Sequence, residues 1–456
     1  MKSGIVNEKI HVLESSSDIW KTIRDIVVTR NQEEPFFVCD VGEIVKKFNE
    51  WKVKFPRIQP FYAVKCNDTP IVLEVLGALG SSFDCASKNE LSKVLDLGVD
   101  PKKIIFANPC KPISHIRFAE SNKVDLITFD NETELYKMKS LFPESRLILR
   151  IRYDAKVAAC QLGMKFGCDH QKEAPKLINV ARSLGLNVVG LSFHVGSGCG
   201  DPPVYRKAIA ACKTLFDYAK TLGYDFNILD IGGGFPGNKH TSVDEFAEII
   251  NQALEDFFPD PEMKIIAEPG RFMAASCFTL VTNVHSKRTV LGENGIHNMY
   301  YINDGVYGSF NSIIYDHAHV NPIPLRQSNL KNVTYASIWG PTCDGLDQVC
   351  DNVLLPELTI GDWIVFEDMG AYTLPGASTF NGFPVPKVYV VASENIWYFT
   401  FQIIHLKKKK KKKSLLKDTL SFCDDDFAIF NNDLPLKTSI PLSAVLNEYV
   451  NVNLFH

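Results

Sequence analysis

Lys65 ends the apolar run of PFYAVKCND, Pro60 to Asp68. An ammonium placed there is costly to bury unless it is paired or used covalently, and taken alone it more simply reaches past the apolar run to water. Further polar groups recur in comparable runs: Asp84 in SSFDCAS, Arg150 in RLILRI, His194 in VVGLSFHV, Gly232, Gly233 and Gly234 in NILDIGGGF, and Glu268 in KIIAEPGRF. A lysine can bond an aldehyde. The glycine run with Gly237, and the loop Pro269, Gly270, Arg271, offer backbone amides that can approach a phosphate because no Cβ intervenes. Glu268 as a carboxylate would keep a pyridine nitrogen protonated, and His194 could stack flat on the ring. Pyridoxal 5'-phosphate needs all of these together. Each has a plainer reading: tight turns need glycine too, and a histidine between Phe193 and Val195 would ordinarily be a satisfied core residue. A dinucleotide site fits poorly, because GGGFPG lies late in the chain and no acidic ribose partner follows it in a βαβ context.

What must position these groups is legible in the hydrophobic pattern. From about Phe36 to Phe272 strand-like runs alternate with segments of helical period, the signature of a parallel sheet. The runs are FYAVK, SSFDCAS, IIFANP, DLITFD, RLILRI, VVGLSFHV, NILDIGGGF and KIIAEPGRF. Thr69 and Pro70 open one helix and Gly80 follows its end. Ser242 and Glu245 stand at capping-box spacing before a face of Phe246, Ile249, Ile250, Ala253, Leu254 and Phe257. Ser87 and Glu90 have the same spacing, so Glu90 is assigned to a cap and not to chemistry. Strand and helix repeated in this way predict an α/β fold with a TIM-like (β/α)8 barrel over residues 36–272. Polar groups at the C-terminal strand ends of such a barrel converge on one mouth. From Arg271 onward the runs turn β-like, through CFTLVTNVHSKRTVL, NVTYASIWGPTC and PKVYVVAS, which predicts a second, antiparallel β-domain over residues 273–400, joined by an N-terminal arm within residues 1–35. Residues 401–456 are a separate problem: seven lysines from Lys407 to Lys413 precede CDDDF, and a solvated, disordered tail is expected.

The bulk numbers narrow the partners. A chain of 456 residues that is 45% hydrophobic can bury two substantial cores. A net charge of -4, from 49 basic and 53 acidic residues, leaves no basic footprint for nucleic acid. No run is long and apolar enough for a bilayer, and the N-terminus has no apolar leader segment, so a cytoplasmic protein without a membrane partner is expected. Twelve cysteines without CxxC pairs support neither a disulfide framework nor a metal site.

With these residues assembled, the chain resembles the ornithine decarboxylases of eukaryotes, in the alanine-racemase-like fold group of pyridoxal-phosphate enzymes. The matching segments are PFYAVKCND, FDCASKNEL, FANPCK, SFHVGSG, LDIGGGFPG, AEPGR, NDGVYGSF, YDHAH, WGPTCDGLD and FEDMGAYT, in order from about Phe36 to Val391. The resemblance implies decarboxylation of L-ornithine to putrescine, the first step of polyamine biosynthesis, by a homodimer whose active sites form at the subunit interface.

It makes Lys65 the Schiff-base lysine, His194 the residue stacked on the ring, Asp84 its support and Glu268 the carboxylate on the pyridine nitrogen. Arg150 and the glycines 232 to 234 join the cofactor site, and Ser197, Gly234, Gly270, Arg271 and Tyr372 hold the phosphate. Cys343 becomes the proton donor, for which a thiol is competent, and Tyr315, Asp316 and Asp344 surround the substrate. Paired carboxylates suit the distal ammonium of a diamino acid. Lys165 and Asp347 match the family's ion pair across the interface, and Lys111 to Ser145 matches the region that binds antizyme. Two alternatives stay open: a non-catalytic regulator like the antizyme inhibitors, which lose active-site residues, and a decarboxylase of lysine or arginine. The resemblance fades after about Trp397, and the tail does not look like the degradation-signal tail of vertebrate members.

Overall fold

In the computed structural model, residues 10–13, 19–29, 32–292, 295–326 and 333–396 are described. The lysine run and everything after Ile396 lie outside them, as do residues 1–9, 14–18 and 30–31 of the expected N-terminal arm.

The expected strand runs become eight parallel strands: β1 (Ile58–Ala63), β2 (Ser82–Cys85), β3 (Ile104–Phe106), β4 (Leu126–Phe129), β5 (Arg146–Arg152), β6 (Asn187–His194), β7 (Ile228–Asp230) and β8 (Lys264–Ala267). Each pairs with its neighbours in sequence, and β8 closes on β1 through Ile265 with Ile58 and Ala267 with Pro60. Phe61, Ile105, Leu126, Ile148, Val189, Ile228 and Ile266 form a cluster of their own, as side chains filling a barrel must. The opposite faces of the strands pack on the surrounding helices.

Helix Pro70–Leu79 starts at Thr69 and ends on Gly80, whose φ of 98° is the left-handed conformation that favours glycine at that position. Helix Lys88–Asp96 is capped by the Ser87 hydroxyl, which accepts from the Glu90 amide at 3.3 Å. Glu90 turns back onto the Ala86 amide, one residue before the Ser87 amide that a capping box would engage. The Ser242 expectation needs correction by one turn position. That helix is Asp244–Phe257, and Ser242 Oγ accepts from the Asp244 amide instead of capping with Glu245. Its buried face is nonetheless Phe246, Ala247, Ile250, Ala253 and Leu254.

The second sheet has nine strands and is mixed, where the pattern predicted an antiparallel one. Along it run Ile10–Leu13, Lys387–Ser393, Phe36–Asp40, Phe278–Gly292, Gly295–Ile302, Val333–Trp339 and Gln348–Pro356, with Trp363–Phe366 pairing Phe278–Gly292 off that path. The first three are mutually parallel, as are Gly295–Ile302 and Val333–Trp339. Alternation along a strand sets which face is buried but not which strand lies alongside it. Phe36–Asp40 and Lys387–Ser393 approach from opposite sides of the barrel segment and meet in this sheet. The chain enters the barrel itself only at Ile58. Among the described residues no helix is long and apolar enough to cross a membrane.

Candidate active site

After β1 the chain leaves the barrel wall in a single turn of 3-10 helix, Val64–Cys66, with Lys65 at its centre. The Lys65 ammonium lies 2.5 Å from Asp84 Oδ2 at the end of β2, and Asp84 is wholly buried while Lys65 keeps 39% of its side chain exposed. Burial disfavours the ammonium, but the charge and hydrogen bond of Asp84 oppose it, and the Lys65 pKa is raised above the ordinary lysine value. Asp84 Oδ1 is buried without a hydrogen-bond partner. Expected as the support of His194, Asp84 is instead held by Lys65.

His194 ends β6, and its Nδ1 accepts from the Gly196 amide at 3.1 Å. Burial, with Arg150 and Lys65 nearby, pushes its pKa well below the ordinary value, so the ring is neutral at physiological pH. A neutral imidazole that accepts at Nδ1 carries its proton on Nε2. The ring is close to the glycine run: a Cβ at Gly233 would fall 3.0 Å from His194 Nε2 and 2.7 Å from the Glu268 carbonyl. Gly232 and Gly234 have φ of 65° and 113°, a second reason for glycine there. Arg150, on β5, lays its guanidinium 5.2 Å over the Phe166 ring.

Glu268 follows β8 and is 7% exposed. Burial, reinforced by Asp230 and Asp84, raises its pKa well above the carboxylate range. Asp230, wholly buried at the end of β7, accepts from the Gly232 amide at 2.9 Å through Oδ1, while its Oδ2 is buried without a hydrogen-bond partner. Burial drives the Asp230 pKa from 3.8 to about 7. The folded chain therefore holds a proton on Asp230 more tightly than the unfolded chain does. The stability this contributes is complete below pH 3.8 and is lost as pH rises through about 7. An Asp230→Asn variant keeps the acceptor for Gly232 and cannot ionise. Its melting temperature is expected to fall less steeply than wild type between those two pH values, and parallel profiles would count against a protonated Asp230 in the folded chain.

At the other edge Arg271 Nη2 donates to Ser197 Oγ at 2.9 Å and to both oxygens of Asp316, at 2.7 and 2.6 Å. Its guanidinium lies 5.2 Å over the Tyr372 ring, and its Nε is buried without a partner. Cys160 Sγ approaches Asp316 Oδ1 at 3.8 Å and the Tyr315 carbonyl at 3.7 Å, while the Tyr315 side chain is 73% exposed. Gly270 packs so closely that a Cβ would meet Cys66 Cβ at 2.8 Å. Lysine, neutral imidazole and proton-bearing carboxyl thus stand at the ends of β1, β6 and β8, with the glycine run after β7 and an arginine and a hydroxyl at the edge. Together with the partnerless Asp84 Oδ1 and Arg271 Nε, they fit pyridoxal 5'-phosphate. Lys65 would meet its aldehyde, Glu268 its ring nitrogen, and Arg271 with Ser197 its phosphate.

Cys343, Asp344 and Tyr315 are not drawn into the Lys65 cluster by any hydrogen bond or ion pair among the described residues. Cys343 is exposed on the loop after Val333–Trp339, and its amide donates to Asn381 Oδ1 at 3.1 Å. Asp344 accepts from the Tyr307 hydroxyl, and the Tyr307 ring stacks on Phe380 at 4.4 Å. Lys165 lies over the Phe166 ring, whereas Asp347 is 1% exposed and accepts from the Val306 amide and from the amide and hydroxyl of Thr342. Sequence reasoning overlooked Asp230, Tyr307, Asn381 and Cys160. Asp230 alone had a signal, a charge inside the apolar run NILDIGGGF. The others depend on contacts between distant segments.

Comparison with known proteins agrees with this arrangement. Residues 41–275 match the family described as pyridoxal-dependent decarboxylase, pyridoxal binding domain. The chain is 45% identical over 413 residues to ornithine decarboxylase of Rattus norvegicus, covering 88% of this chain and 86% of that protein. It is 44% identical over 392 residues to antizyme inhibitor 2 of Xenopus laevis, covering 83% and 86%. The crystal structure of the Paramecium bursaria Chlorella virus arginine decarboxylase superposes with a TM-score of 0.79 at 38% identity, over 82% of this chain and all of that one. Likeness this extensive, in sequence and in fold, means that the chain belongs to the family of pyridoxal-dependent ornithine and arginine decarboxylases.

Proposed function

We propose that the protein decarboxylates L-ornithine to putrescine with pyridoxal 5'-phosphate, as a cytoplasmic homodimer. The observation that carries the reading is the Lys65 ammonium held 2.5 Å from buried Asp84 beside proton-bearing Glu268 at one barrel mouth. When bound, the cofactor supplies an electron sink for the pair of electrons left at Cα as CO2 departs. The remaining work falls to side chains of this protein. Lys65 offers the amine that attaches to the cofactor, and Asp84 holds that amine in place. Glu268 keeps a proton for the ring nitrogen, because burial and its carboxyl neighbours oppose ionisation. Neutral His194 presents its face without adding positive charge, its plane set by the Gly196 amide. Arg271, Ser197 and Tyr372 anchor the phosphate end. Asp316 and Asp344 receive the distal ammonium, and Cys343 delivers a proton to Cα.

A second subunit would bring the Cys343 loop to a neighbouring Lys65. Exposed apolar side chains near the substrate residues support that assembly: Leu346, two residues after Asp344, and Tyr315, next to Asp316, are each 73% exposed. Antizyme is a further proposed partner through residues 111–145. The likeness to an antizyme inhibitor favours one second reading, a non-catalytic regulator. Against it stands the full set of Lys65, Asp84, His194, Arg271, Cys343 and Asp344 in this sequence.

The deciding experiment is CO2 release from carboxyl-labelled ornithine, lysine and arginine in parallel, on purified protein supplied with pyridoxal 5'-phosphate. Ornithine should turn over fastest. Preference for another amino acid would overturn the substrate, and neither turnover nor cofactor binding would leave the regulator.

A further inference from the structure

The cofactor reading gives Lys65 and Tyr372 opposite ends of one rigid molecule, and the inference here rests on that reading. Their segments lie far apart in sequence, yet they are fastened together at Asn67. This side chain is wholly buried. Its Nδ2 donates to the Gly370 carbonyl at 2.8 Å, across 303 positions of sequence. Its Oδ1 accepts from the amide of Thr69 at 3.1 Å and from the Thr69 hydroxyl, which fixes the rotamer. Tyr62, itself buried, donates to the Asn67 carbonyl at 2.8 Å. The adjacent Cys66 carbonyl accepts from the Tyr372 amide at 2.9 Å. The turn that carries Lys65 and the loop that carries Tyr372 therefore share two bonds, one from a side chain and one from the backbone.

Tyr372 needs such a brace. Its φ of 57° is left-handed, a conformation that persists in a bulky residue only where the surroundings over-determine it. The ring placed by that backbone lies under the Arg271 guanidinium. Asn67 touches neither aldehyde nor phosphate position, but it joins the segments that carry both.

We propose that Asn67 is a positioning residue that sets the span between the lysine seat and the phosphate seat of the cofactor. A span matters only to a ligand whose two ends are covalently joined, because such a ligand gains its second contact at a high effective concentration when the geometry fits. The test follows from this. Pyridoxal 5'-phosphate, and separately pyridoxal with inorganic phosphate, are titrated into cofactor-depleted wild type and Asn67→Ala, with the absorbance of the lysine-bound aldehyde as readout. Asn67→Ala should weaken the joined ligand at least about tenfold and leave the separate pair within about twofold. Equal weakening of both would mean general damage and would overturn the proposal, as would no change in either. If Asn67→Ala does not fold, Thr69→Val frees the Asn67 rotamer and should move the ratio in the same direction, by about two- to threefold. An unchanged ratio there refutes the proposal equally. Lys65→Ala serves as the control: if its absorbance band survives, the reading of Lys65 fails, and the proposal with it.

Discussion

Lys65→Ala is expected to abolish the absorbance of lysine-bound cofactor and to cut decarboxylation at least about 10^3-fold, since it removes the amine paired with Asp84 at the barrel mouth. A second effect is separable from the first. Alanine leaves the Asp84 carboxylate buried with neither oxygen paired. Breaking a buried pair costs about 3–5 kcal/mol, and the 39% exposure of Lys65 argues for less than that range. The melting temperature should therefore fall as well. Lys65→Arg separates the two consequences: a guanidinium can still pair with Asp84, yet it does not condense with the aldehyde. Melting should recover and absorbance should not. Absorbance that survives in Lys65→Ala would place the covalent bond on another lysine and overturn the assignment.

Glu268→Gln should lower kcat by about 10^2- to 10^4-fold while the lysine-bound absorbance remains. Burial, reinforced by Asp230 and Asp84, disfavours the Glu268 carboxylate, so its carboxyl holds a proton more tightly than an exposed glutamate does. With the cofactor bound, Glu268 would hold its ring nitrogen and would supply the group that keeps that nitrogen protonated. Glutamine fills the same space with no proton to transfer, so the electron sink weakens without the attachment at Lys65 being touched. Rates within a few-fold of wild type would mean that the ring nitrogen is served by another group. Because Asp230 raises the Glu268 pKa and acts only through it, Asp230→Asn should give a smaller loss in the same direction.

How much of this was legible beforehand follows from which forces act locally. Each barrel strand shows as an apolar run, since a parallel strand covered on both faces has no polar side to interrupt it. Pro70 and Gly80 mark their helix because a proline at the first position and a left-handed turn at the end are local requirements, whereas the Thr69 hydroxyl bonds Asn67 instead of capping. Lys65, Asp84, His194 and Glu268 stood out because charge at the end of an apolar run is expensive unless used. Ser242 misled by one position, since a serine hydroxyl can satisfy an amide two residues on as readily as one three residues on.

The sequence by itself determined the barrel, its order and the residues at its mouth, because strand runs, helix faces and strand ends are written in spacing along the chain. Tertiary structure alone decided who partners whom. Lys65 took Asp84 away from His194, Asp230 took the Gly232 amide, and Arg271 joined Ser197 to Asp316. Asn67 reached Gly370, and Phe36–Asp40 left the barrel segment for the second sheet. The physical reason is common to all of them. Hydrophobic periodicity fixes which face of an element is buried, but a buried polar group must find its partner wherever closure of the fold brings one within about 3 Å, and sequence separation carries no information about that distance.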